Sequence, residues 1–565
     1  MLLQRLVEYA DRLEERDELA PPLYSKKWVR YVIDLDGSGR LLNPQPFDLS
    51  EAEQGSRRGQ RRAAPNVVRA SAVKPLLLAD NAEYTLGLGR ETSRPERVEK
   101  CHAAYMELLE ACAAQTKEST VIAVLTFLQG EPQAQLHLDE DFDRGEPIIF
   151  RVDQQFVHLR PPVKKFWVAH NTPQPADSEG PGHCLVCGEE KPIVKRLKGK
   201  IKGVPGGHSV GTAIISANKP AFESYGLQAS QIAPTCVECG DRFTKALNHL
   251  LRDDSSHVWS SSLAFAFWTP EPVGFNWASF LQDPDTEAVR ELFEAPRSGK
   301  WDPTVDETAF YAVSLSGSGG RTVIRDWIDA TVGQVKASLV AWFQGQEVVD
   351  AWGEEPRPLG VWALAGATVR DLKDISPPTL RGLLRTALTH TPLPWNLLQQ
   401  AVRRNHAERT VTRPRAALIK LVMRTQGVLK ENEMVQLQPD HPEAAYHCGR
   451  LLAVLESIQR SALGDINATI VDRFYGTAST APASVFGRLV GGAQPHLSKL
   501  RRDRPGAGHA LQQRLEEVLS ALPAFPHTLD LKQQGLFALG YYHQRAHDRA
   551  QARARTQNKA EAEIE

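Results

Sequence analysis

Four cysteines are spaced to do metal chemistry. Cys184 and Cys187 lie in "HCLVCG", Cys236 and Cys239 in "TCVECG". Two thiolates three positions apart grip one ion when a tight turn lies between or just after them. The glycine closing each pair permits such a turn. Two matched knuckles complete a tetrahedral sulfur site, so the spacing predicts one structural zinc. A closed S₄ site leaves no position for substrate, and such a metal staples the chain and does not catalyse. The remaining cysteines, Cys101, Cys112 and Cys448, have no such spacing. An odd total of 7 argues against a disulfide framework.

Between the knuckles runs a second kind of chemistry. Lys191, Lys195, Arg196, Lys198, Lys200 and Lys202 occupy a stretch without acids, interleaved with Gly199 and followed by Gly203, Gly206 and Gly207. A run of charge is most simply a solvated face. These glycines, however, predict a flexible loop that can follow a phosphate backbone, which needs cations within reach and little fixed geometry. A similar cluster, Arg57, Arg58, Arg61 and Arg62, falls in "EAEQGSRRGQRRAA", which reads as a mobile loop. Asn66, Arg69, Ser71 and Lys74 follow it. Both basic segments stand out in a chain of net charge −1.

A third signal is formal only. "GHSVG" (Gly207–Gly211) fits the nucleophile-elbow pattern around Ser209. That elbow requires a hydrophobic strand before the serine and a helix after it. Here "KGKIKGVPG" precedes it and the β-branched "TAIISAN" follows, so Ser209 is expected in a turn. "GSGGRT" (Gly317–Thr322) lacks phosphate-loop spacing. The His547–Asp548 pair has no second ligand cluster beside it. No catalytic set assembles.

A length of 565 residues with 42% hydrophobic and 24% charged side chains describes a soluble multidomain chain. No apolar run reaches bilayer length, and the N-terminus alternates charged and apolar residues as an amphipathic helix. A cytoplasmic protein without membrane association is the expectation. Residues 1–179 read as a mixed α/β domain. Within it "WVRYVIDLD" is a strand, "AVKPLLLAD" and "YTLGL" a strand pair, and "TVIAVLTFLQ" a further buried strand. Residues 180–245 form the cysteine insert, and 246–422 a mixed region turning helical. The last part, 423–565, reads as an α-helical bundle whose tail beyond Ala550 frays. The fold class is thus α+β and multidomain.

Long strings carry a resemblance: "RLLAVLESIQRSALGDINATIVDRFYGTASTAPASVFGRLV", "PHLSKL" and "FALGYYHQR", with "LLLADNAEYTLGL" and "SANKPAFESYGLQASQIAP" nearer the N-terminus. Together they resemble the large subunit of the type I-C CRISPR Cascade surveillance complex. The resemblance implies a non-enzymatic member of an RNA-guided antiviral assembly. Such a subunit recognises the protospacer-adjacent motif in double-stranded DNA, assists unwinding and R-loop stabilisation, and helps recruit a helicase-nuclease. Its implied partners are guide CRISPR RNA, target duplex, and the backbone and handle-binding subunits. A small subunit made from an internal start is also implied, and of the 4 methionines Met423 or Met434 is placed to open it. On that reading Asn66, Arg69 and Ser71 meet base edges, while Lys74 and the neighbouring arginines meet phosphates. Arg403, Arg404, Arg473, Lys499, Arg501 and Arg502 track the displaced strand. The zinc rests on the cysteine spacing alone. The rival readings are a zinc-ribbon nuclease, a Ser209-dependent hydrolase and a purely architectural scaffold.

Overall fold

The computed structural model describes residues 1–50, 58–67, 69, 72–172, 178–194, 196–217, 219–223, 225–298, 303–430, 433–464 and 466–562. Arg57, Ser71 and Lys195 lie outside them. The fold is α+β, with sheets toward the N-terminus and helices toward the C-terminus. The chain divides into two compact units. One holds residues 1–203, 207–249 and 318–322; the other holds 204–206, 250–317 and 323–565.

In the first unit, the strands Tyr31–Leu35 and Ile148–Val152 pair in parallel at the centre of a five-stranded sheet. Tyr31, Val32, Ile33 and Leu35 are buried, as are Ile148, Ile149, Phe150 and Val152. Such near-continuous apolar runs are what a parallel pair covered on both faces requires. Short antiparallel strands flank it: Phe47–Asp48, Ala79–Asp80 and Gln155–Phe156. The helices Pro95–Thr116, Ser119–Gln129 and Pro161–Asn171 contribute Cys101, Leu109, Val124, Phe127 and Trp167 to the same core.

Three expectations for this unit need correction. "TVIAVLTFLQ" is the helix Ser119–Gln129, not a strand. Its buried Val121, Val124, Phe127 and Leu128 recur at helical spacing beneath a β-branched composition. The expected strand pair at 72–88 contracts to Ala79–Asp80, because Leu78 turns left-handed (φ 58) just before it. "YTLGL" opens inside the short helix Ala82–Thr85. The arginine segment is not a loop from Gln60 onward, since Gln60–Pro65 pairs antiparallel with Tyr24–Val29 as a separate two-stranded ribbon.

In the second unit a four-stranded sheet runs in the order His257–Trp259, Ala264–Trp268, Ala309–Ser318, Arg321–Thr331. Thr331 then starts the helix Val332–Gln346 with a reciprocal cap: Gln334 N donates to Thr331 Oγ1 (3.3 Å) and Thr331 N to Gln334 Oε1 (3.0 Å). The helices Pro377–Thr389, Trp395–Glu408 and Arg413–Thr425 follow. The C-terminal bundle is built on Ala444–Leu463 packed along Leu531–Ala562, with Ile470–Thr480, Phe486–Asp503 and Pro505–Ser520 around them. The last helix does not fray at Ala550. Its Ala, Arg, Gln and Lys are strong helix formers, Arg553 pairs with Glu354, and Arg514 donates to Gln551 (2.6 Å).

Candidate metal centre and nucleic-acid interface

The strands Ser178–His183 and Glu190–Val194 form a hairpin whose turn carries Cys184 and Cys187. Gly188 N donates to Cys184 O (2.8 Å) with Gly188 at φ 75, the left-handed turn that glycine allows. The second knuckle is built otherwise. Cys236 precedes, and Cys239 sits in, the first turn of the helix Val237–Leu250. Its trailing glycine, Gly240, is helical, and a Cβ there would lie 2.4 Å from Leu197 Cδ2. That glycine serves close packing, not a turn.

The four sulfurs lie within 4.8 Å of one another, and they are the metal-capable cluster among the described residues. Four ligands at about 2.3 Å in a tetrahedron stand about 3.8 Å apart, so a small contraction seats one zinc. Backbone N–H groups already point at the sulfurs: Cys236 N at Cys184 Sγ (3.4 Å) and Cys239 N at Cys236 Sγ (3.5 Å). Hydrogen bonding from the Cys239 thiol holds Cys236 down to about 5, while Cys239 keeps its proton. Cys184, Cys236 and Cys239 are buried and Cys187 is exposed. Leu3, Val7 and Ile193 pack against the cluster.

From Arg196 the lysine segment runs without helix or strand to an isolated bridge at Ile201. Arg196, Lys198, Lys200 and Lys202 are exposed, while Leu197 and Gly199 are half-buried and Ile201 is buried. Exposed cations thus alternate with less exposed residues along the segment. The expected loop is tethered at defined points. Ile201 and Thr212 exchange two backbone bonds of 2.8 Å. Asn248 clamps the segment twice: its Oδ1 accepts from Lys202 N (2.8 Å) and its Nδ2 donates to Lys200 O (2.9 Å). At Gly199 a Cβ would lie 2.6 Å from Thr244 Oγ1, so this glycine also serves close packing. Among the described residues no ion pair engages Arg196, Lys198, Lys200 or Lys202. Lys191 differs. It bridges Glu189 (2.7 Å) and Glu238 (3.2 Å), and the Glu189 carboxylate raises its pKa.

The helix Val237–Leu250 also anchors the other basic element. Asp241 Oδ2 accepts from Leu23 N (2.9 Å), and Lys245 Nζ donates to Pro21 O (2.7 Å), immediately before the ribbon strand Tyr24–Val29. Arg61 and Arg62, adjacent in sequence, part on the ribbon's two faces. Arg61 is exposed opposite Trp28, whereas Arg62 lies over the Phe156 ring at 4.7 Å. Arg58, Asn66 and Lys74 are exposed. Arg69 is committed inward, paired with buried Asp80 and stacked 4.4 Å over Tyr84. Beside the metal cluster opens a cleft of about 610 Å³ with Lys164, Lys165, Lys191 and Arg242 facing Glu14 and Glu238.

In the second unit Arg403 and Arg473 are exposed, and Arg404 is paired with Glu408. Lys499 Nζ caps the helix Ala444–Leu463 through Ala462 O (2.8 Å). Arg501 and Arg502 lie in the last turn of Phe486–Asp503, where cations complement the helix dipole. Ser209 is exposed on a turn in which Gly211 N donates to His208 O (2.9 Å), with no strand entering and no helix leaving it. Sequence reasoning overlooked Lys26, Trp28, Asp241, Lys245 and Asn248. The alternation in "YSKKWV" signalled the first two; nothing local signalled the rest.

A metal-capable cysteine cluster, a run of exposed cations and a basic ribbon are thus gathered around the helix Val237–Leu250. No curated protein matches the chain. The model of the CRISPR-associated protein (Cas_Csd1) family matches residues 6–548, and the chain belongs to that family. Its role is accordingly CRISPR-related, in company with other proteins of such systems and with nucleic acid. No helix among the described residues is long and apolar enough to cross a membrane.

Proposed function

We propose that the chain is the large subunit of a type I-C Cascade and recognises target DNA as a binding protein, not an enzyme. The observation that carries this reading is the placement of two basic elements on the helix Val237–Leu250. The cation run Arg196–Lys202 grips phosphate backbone, of flanking duplex or guide handle. The ribbon, with Arg58, Asn66 and Lys74 near it, meets the protospacer-adjacent motif. Zinc held by Cys184, Cys187, Cys236 and Cys239 fixes the N-terminal end of the supporting helix. Arg403, Arg473, Lys499, Arg501 and Arg502 lie along the displaced strand, and the assembly presents the opened DNA to a helicase-nuclease. An internal start at Met423 or Met434 supplies the small subunit.

Reversing Lys198, Lys200 and Lys202 to glutamate tests the reading. The guide-loaded complex should lose target affinity, and its salt dependence should flatten by about 0.9 in log–log slope per lost phosphate contact. Unchanged affinity at physiological salt would leave the chain an architectural scaffold.

A further inference from the structure

The ribbon carries a feature that the arginine count does not reveal. In an antiparallel pair, directly opposed residues share a face. Trp28 opposes Arg61 and Lys26 opposes Ala63, so Lys26, Trp28 and Arg61 lie on one face. Lys26 and Arg61 are exposed, Lys26 Nζ donating to Asp17 O (2.7 Å) and Arg61 Nη2 to Lys26 O (3.5 Å), and Trp28 is half-buried. On this same face Tyr24 and Ala63 pack into the core, and the opposite face is used up internally. Val29 and Ala64 pack with Val32, Leu49, Ala79 and Ile149, and Lys27 Nζ donates to Pro65 O (3.1 Å). The ribbon is also held rigidly. Tyr24 Oη donates to His158 O (2.7 Å), and His158 Nε2 meets Ala63 O (3.1 Å). Burial lowers the His158 pKa to about 4, which keeps the ring neutral in that contact.

An indole beside two exposed cations, each held among the described residues only by a backbone carbonyl, suits a particular substrate shape. The cations answer two phosphates, and the ring offers a stacking platform to the base between them. A base inside an intact duplex is already stacked and cannot reach it. We infer that Lys26, Trp28 and Arg61 form a base-stacking site for an unpaired DNA nucleotide where the duplex opens. The inference rests on the DNA-recognition reading and adds a specific substrate, a strand fork. Base–aromatic stacking tolerates any base because each has a π-face, so this site stabilises opening without reading sequence.

The test uses the full chain, a forked DNA with a fluorescent adenine analogue at the junction of its unpaired arm, and the same DNA fully paired. The wild-type chain should bind the fork more tightly and quench the analogue. Trp28→Ala should weaken fork binding about tenfold and abolish quenching, with a smaller loss on the duplex. Trp28→Phe keeps a ring and should restore most of both. Lys26→Glu with Arg61→Glu should weaken both DNAs. Fork affinity and quenching unchanged in Trp28→Ala, with duplex binding still sensitive to the charge reversals, overturns the stacking site and leaves DNA recognition standing. Equal binding of fork and duplex by the wild type overturns it as well. Insensitivity of both DNAs to these charge reversals overturns the ribbon site, and insensitivity to reversal of Lys198, Lys200 and Lys202 as well overturns DNA recognition itself.

Discussion

Two glycines that look alike in sequence do different work. Gly188 closes its knuckle by turning left-handed, and Gly240 closes the other by letting Leu197 approach a helix. What they share is the result, four sulfurs within 4.8 Å of one another. The purified chain is therefore expected to hold about one zinc per molecule by elemental analysis. Cys236→Ser should abolish that content, because Cys236 is buried among the other sulfurs and accepts the Cys239 N–H. A wild-type chain purified without metal would refute the zinc assignment. The cysteine set was legible from spacing alone because metal ligation constrains residue types so tightly. The separation of Arg61 from Arg62 was not legible, because two adjacent arginines part only when a strand alternates them, and the partner strand lies far away in sequence.

Helices and strands were readable where their period was clean. They were misread where composition and period disagreed, as in the β-branched helix Ser119–Gln129. The lysine segment failed differently. Its glycines suggested freedom, yet Gly199 lets Thr244 approach and Asn248 fixes the backbone on both sides of Ile201. Glycine content does not separate a mobile loop from a tightly packed one. The same ambiguity recurs in the bundle, where glycines set the distance between its two central helices. A Cβ on Gly540 would lie 2.0 Å from Tyr446 O, and one on Gly449 would lie 2.0 Å from Phe537 O. Ala444–Leu463 and Leu531–Ala562 thus touch backbone to backbone. Gly540→Ala should cost about 1–3 kcal/mol or more by overpacking, read as a lower denaturation midpoint of the C-terminal bundle. An unchanged midpoint would contradict this packing.

At the scale of the whole chain, the proposed small subunit would begin just ahead of the bundle. Met423 is buried inside the helix Arg413–Thr425, and Met434 lies beyond it. The five helices from Ala444 onward all follow Met434. A product from either methionine keeps the central helix pair whole. Replacing both codons with leucine codons that cannot initiate should abolish a short C-terminal product, and persistence of that band would refute both starts. The α+β class and the helical C-terminal part were evident from pattern. The helix Val237–Leu250 as common support was not, because its anchors, Asp241, Lys245 and Asn248, act across long sequence separations. DNA recognition without cleavage is tested by incubating the guide-loaded complex with matched target duplex and Mg²⁺. Tight binding that depends on the adjacent motif and leaves both strands intact is expected. Strand cleavage by the complex without its helicase-nuclease, or equal binding with the motif scrambled, would contradict it.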